Sequence, residues 1–130
     1  MKELSELEQW FSIANSDYNI AEHIFNSMYP KPLEAVCFHC QQCAEKSLKG
    51  FLVFKETDFP KTHDLVKICN MCIELDKGFE KFLKMCQRLT LYATKLRYPD
   101  NMEVVEYDAK KALKDAKAIY DFCIEKVRVS

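Results

Sequence analysis

Glycine is nearly missing from this chain: two residues in 130, alongside four prolines. So few turn-formers cannot serve the repeated reversals of an all-β meander, which is thereby excluded. A surplus of either charge is lacking too, since 19 Lys plus Arg face 20 Asp plus Glu for a net charge of −1. No bulk field therefore draws the chain to nucleic acid or to an anionic membrane. Apolar runs last only a few residues, too short for a bilayer span or a signal-peptide core. The opening Met1-Lys2-Glu3-Leu4 reads as helix rather than export leader, and a cytoplasmic location is expected, without a membrane partner. What is plentiful is apolar matter, 48%, with 30% charged residues of both signs. That is the composition of a globular chain, and its length suits one domain over 1–130.

The seven cysteines are odd in number and follow no secretory signal, so a disulfide framework is not expected. Cys37, Cys40 and Cys43 recur every three residues, and Cys69 with Cys72 makes another C-x-x-C. Two such pairs have the ligand count of a zinc site, but zinc knuckles turn on glycine and neither stretch holds one. At helical spacing the same residues form an apolar stripe, the common fate of free cysteine. Packing is therefore the expectation, with neither metal nor cofactor.

Leu4, Leu7, Phe11, Ala14, Tyr18, Ala21, Phe25 and Met28 keep a seven-residue repeat, which predicts a first helix packed lengthwise on a neighbour. Trp10, Ile13, Ile20 and Ile24 widen its stripe. Pro30 and Pro32 should end it near Tyr29, with Pro32 opening the next helix. A second helix is predicted from about Leu33 to Glu56. Its apolar side carries Leu33, Val36, Cys40, Cys43, Ala44, Ser47, Phe51 and Phe54. A polar stripe of His39, Gln42, Lys46 and Lys49 runs beside it, with Phe38 and Leu52 on or near that side. Thr62 fits the N-cap of a short third helix, placing His63 and Asp64 in its first turn. Gly78 is the expected left-handed break after it. A fourth helix carries Phe82, Leu83, Cys86, Leu89, Thr90, Ala93 and Leu96, and the last runs from about Glu103 to Val127. With no strand signal, the fold class expected is all-α: an up-and-down antiparallel helical bundle with short connections.

A bundle does not declare its task, so function has to come from polar residues a core would not select. Three places qualify: the stripe His39, Gln42, Lys46 and Lys49; the helix start Thr62-His63-Asp64; and Arg97-Tyr98-Pro99-Asp100. Arg97 shares the phase of Leu83, Cys86, Thr90 and Ala93, so it continues an inward seam at the helix end. A guanidinium there needs a carboxylate, a phosphate or carbonyls. An ion pair with Asp100 or Asp64 would staple the helix end, and a bound phosphate would make a clamp. His63 has the same double reading, structural or catalytic. No Gly-rich phosphate loop, nucleophile elbow or H-E-x-x-H occurs.

Phe38-His39-Cys40-Gln41-Gln42-Cys43-Ala44-Glu45-Lys46-Ser47-Leu48-Lys49-Gly50, with Lys61-Thr62-His63-Asp64-Leu65 and Leu96-Arg97-Tyr98-Pro99-Asp100, resembles the HEPN domain family. The resemblance spans nearly the whole chain. It implies a bundle of four to five helices that dimerises around a polar cleft, often beside a minimal nucleotidyltransferase in a toxin–antitoxin pair. Some members bind nucleotides, and many are metal-independent ribonucleases that use an arginine and a histidine with four to six residues between them. Arg97 can take the arginine position, but Met102, Glu103 and Val104 stand where the histidine belongs. Arg97, His63 and His39 remain the catalytic candidates. Carried onto this chain, the resemblance implies a nucleotide or RNA phosphate held by Arg97 with Lys46 or Lys49. His63 and Asp64 would hydrogen-bond the ligand or position Arg97, Tyr98 would stack on a base, and His39, Gln42 and Asp100 are further ligand-binding candidates. A metal-independent ribonuclease toxin and a plain dimerisation protein are the alternatives.

Overall fold

A computed structural model of the chain describes residues 4–95 and 103–128, without the side chains of 93–95. Among these, helices α1 (Glu6–Ser27), α2 (Leu33–Phe54), α3 (Leu65–Leu75), α4 (Leu83–Lys95) and α5 (Glu106–Arg128) carry the fold, with a 3₁₀ turn over Lys77–Phe82. The all-α helical bundle expected from periodicity is the fold observed.

Helices α1 and α3 begin where the sequence supplies a side-chain partner for their first free N–H groups. Ser5 Oγ accepts from the Glu8 N–H at 3.1 Å while Glu8 Oε1 accepts from the Ser5 N–H at 3.0 Å, a complete capping box. Phe11, Ala14, Ala21 and Phe25 then face the core, while Ile13 and Ile20 stay exposed. The wider stripe of α1 is thus only partly covered. Pro32 sits one position outside α2, at its N-cap.

The end of α2 falls two residues before the expected Glu56. The Thr57 N–H donates to the Leu52 carbonyl and the Glu56 N–H to the Val53 carbonyl, both at 2.9 Å. That pair of bonds is a Schellman closure, and it puts Glu56 at φ 51°, the left-handed position that glycine usually fills.

Two local expectations are corrected. The N-cap of α3 is Asp64 rather than Thr62: Asp64 Oδ1 accepts from the Val66 and Lys67 N–H groups at 3.0 and 3.3 Å. Thr62 Oγ1 instead accepts from the Asp64 N–H at 3.1 Å, so His63 precedes the helix. Gly78 does not adopt a positive φ. It lies inside the 3₁₀ turn and donates to Asp76 Oδ1 at 2.8 Å. A Cβ there would come within 3.0 Å of both that oxygen and the Phe122 ring, so space rather than dihedral freedom asks for glycine.

Helix α2 lies at the centre and packs against α1, α3, α4 and α5. Leu52, expected near its polar side, is wholly buried. Gly50 lets the Phe11 ring approach so closely that a Cβ would stand 2.8 Å from it, closing α1 onto α2 with no void. All seven cysteines are buried and unpaired. Burial pushes the Cys37 and Cys43 thiols up to about 12, which makes them poor nucleophiles and poor ligands. Among the described residues no group of three potential ligands converges on a metal-sized point, and no helix is long and apolar enough to cross a membrane.

One half-buried ion pair escaped the sequence reading. The Arg88 guanidinium on α4 donates from Nε and Nη2 to both oxygens of Asp115 on α5, at 3.0–3.1 Å. Asp115 is buried, and that burial pushes its carboxyl up while Arg88 draws it back.

Candidate functional site

Among the described residues the densest gathering of polar groups lies where α2 passes the start of α3, and its hub is a residue that the sequence reading did not single out. Glu45 is fully buried, with no exposure of its carboxylate, while the His63 ring it holds is 70% exposed. Four side-chain donors reach this carboxylate. Oε1 accepts from His63 Nδ1 at 2.8 Å and from Gln41 Nε2 at 3.3 Å. Oε2 accepts from Lys49 Nζ at 3.0 Å and from Lys46 Nζ at 3.3 Å. Burial alone would push the Glu45 carboxyl up, but the bonds from His63 and Lys49 and the charge of Lys46 outweigh it and hold the group below the ordinary carboxylate range. Ionised Glu45 can only accept, so the Nδ1 of His63 carries the proton.

The same helical line also fixes the backbone of the α2–α3 connection. Gln41, Glu45 and Lys49 follow one another at i, i+4 and i+8 on one face of α2. Gln41 Nε2 donates to the His63 carbonyl at 3.2 Å, and Lys49 Nζ donates to the Thr62 carbonyl at 3.0 Å. Three side chains therefore clamp residues 62 and 63 against the helix. Aromatic rings border the cluster. Trp10 meets Phe59 edge to face at 5.9 Å, Lys46 Nζ lies 5.9 Å from the Trp10 ring centre and Lys49 Nζ lies 5.6 Å from that of Phe59.

The expected polar stripe is divided by this arrangement. Lys46 and Lys49 join His63 at Glu45, whereas His39 turns to α1 and pairs through Nδ1 with Asp17 Oδ1 at 3.0 Å. Gln42 is half-buried between the two. Asp64 faces its own helix as a cap. Arg97, Tyr98 and Asp100 lie outside the described residues. A hydrogen bond from the Leu65 N–H to Thr90 Oγ1 at 3.1 Å links α4 to this corner. Gln41 and Glu45 were legible only as members of the Q-Q-x-x-E-K segment. Their line through an otherwise buried helix is the signal that could have found them.

Residues 7–127 match the HEPN domain family. The chain belongs to that family. Two solved structures share the HEPN fold with it. One is ST0689, an archaeal HEPN homologue, with 24% identity, a TM-score of 0.74 and coverage of 95% of this chain and 99% of that one. The other is TT1696 from Thermus thermophilus, with 22% identity, a TM-score of 0.77 and the same coverage. No curated protein matches the chain. In this HEPN domain two of the three segments that carried the resemblance, 38–50 and 61–65, meet at Glu45, and the third, 96–100, lies outside the described residues.

Proposed function

We propose that this HEPN domain is a nucleotide- or RNA-phosphate-binding module whose site is the cluster around Glu45. The observation that carries the reading is the gathering of Lys46, Lys49 and His63 on one buried carboxylate beside Trp10 and Phe59. Two ammonium groups and an imidazole against one carboxylate leave surplus positive charge at a place edged by flat rings, the combination that receives a phosphate and a base. Arg97 and Tyr98, with Asp100 close to them in sequence, and Gln42 and Asp64 complete the proposed ligand contacts, while His39, paired with Asp17 on α1, stands apart from them.

The module acts as a homodimer with a nucleotidyltransferase-type partner. Support for a protein partner comes from α1, where exposed Ile13 and Ile20 flank Ser12, Asn15, Ser16 and Asn19 with no exposed charge among them. A metal-independent ribonuclease is the second reading, favoured by the exposed, carboxylate-held ring of His63.

Thermal unfolding with AMP, ATP and a short RNA tests both readings. At a hundred times its Kd a ligand stabilises by about 2.7 kcal/mol, and the shift should shrink for Lys46→Ala, His63→Ala and Arg97→Ala. Equal shifts in all variants, or none with any ligand, overturn the binding reading. RNA left intact by a large excess of the native dimer removes the ribonuclease.

A further inference from the structure

The three histidines differ in a way that singles one out. His23 is exposed, and no carboxylate holds it among the described residues. His39 is held by Asp17, but ring and carboxylate are both largely covered, at 26% and 15% exposure. Only His63 joins a carboxylate-fixed Nδ1 to an open ring. An ion pair meant solely to staple the helices would cover both partners, as His39 and Asp17 do. Here a wholly buried carboxylate, already paired with the buried Lys49, also holds an imidazole that faces solvent. The clamp from Gln41 and Lys49 holds the backbone of residues 62–63 as well, so the ring is presented in one orientation. In the neutral ring Nδ1 keeps its proton toward Glu45, which leaves the lone pair on Nε2.

We infer that His63 is a phosphoryl-accepting histidine, with Glu45 as its positioning carboxylate and a phosphoramidate-class compound as donor. Nε2 forms a bond to phosphorus as the phosphorus–nitrogen bond of the donor breaks. Ammonia leaves the phosphoramidate zwitterion with that electron pair. The ring becomes an Nε2-phosphoimidazolium whose Nδ1 proton stays on the hydrogen bond to Glu45, so its new charge is met by a fixed negative one. The ammonium groups of Lys46 and Lys49, on the same carboxylate, supply positive charge for the phosphoryl oxygens.

The inference rests on the phosphate-binding reading for its choice of donor, but not for the reactivity of the ring. Native protein is treated with potassium phosphoramidate, and acid-labile phosphorylation is followed site by site by mass spectrometry. His63 should be labelled roughly tenfold faster than His23, and Glu45→Gln should remove most of that advantage. A parallel treatment with diethyl pyrocarbonate should give the same order. Equal labelling of His63 and His23 in the native chain overturns the inference even if Glu45→Gln does not fold. The pyrocarbonate order without a phosphoryl label overturns it as well. Inorganic phosphate added as competitor separates the two readings: a His63 preference that persists unslowed keeps this one and sinks phosphate binding.

Discussion

Glu45 shows how one side chain ties local stability to chemistry. Its carboxyl is held below the ordinary value, so it contributes stability above about pH 4.5 and loses it as pH falls through the lower folded value. Glu45→Gln leaves Lys49 buried beside a neutral amide, and the expected cost near pH 7 is about 3 kcal/mol. The gap between native and variant should narrow steadily as a urea titration is repeated below pH 4.5. Parallel stability curves would contradict this role. Sequence reading found the ligand-like residues His63, Lys46 and Lys49 but passed over the group that assembles them. A glutamate among charged neighbours on a helix looks like a solvated face, and only its burial against the 62–63 backbone distinguishes it. Periodicity assigns a face, not what crosses that face from elsewhere in the chain.

Among the elements, α2 is buried on nearly every side, which a two-faced stripe analysis does not anticipate. Its apolar side was legible in Val36, Cys40, Cys43, Ala44 and Phe51, whereas Leu52, farther round the helix, is fully buried as well. Helix boundaries were legible to within a few residues because prolines and caps announce them. Thr62 and Asp64 exchanged roles because both are good caps, and the choice was made by which oxygen met the N–H groups of Val66 and Lys67. The Schellman end of α2 offers a test at this scale. Glu56 occupies the left-handed region at φ 51°, where a Cβ costs on the order of 1 kcal/mol. Glu56→Gly should therefore raise the melting temperature by a few degrees while leaving circular dichroism unchanged. A lowered melting temperature would mean that the side chain contributes more than its backbone strain costs.

At the level of the whole molecule, the seven thiols are the clearest reporters of integrity. They were expected in the core from their spacing, and each is buried. Native protein should accordingly react slowly with an aromatic disulfide reagent, all seven thiols appearing together when the chain unfolds in denaturant. Prompt reaction of two or three thiols in the native state would show a corner that opens on its own. The bundle class was readable because helical periodicity is written in every segment and almost nothing competes with it. The ion pair of Arg88 with Asp115 was not, since Asp115 lies among lysines of its own helix and only the crossing of α4 with α5 brings Arg88 to it.

The grip on residues 62–63 has a topological sequel. Glu45 and His63 are 18 positions apart and Lys49 and Thr62 are 13, so α2 itself closes the loop that leads away from it. Such a short circuit needs neither end of the chain. The first turns of α1 and the last turns of α5 can fray in native-state hydrogen exchange while the imidazole keeps its bearing, because the fastening and what it fastens belong to one neighbourhood.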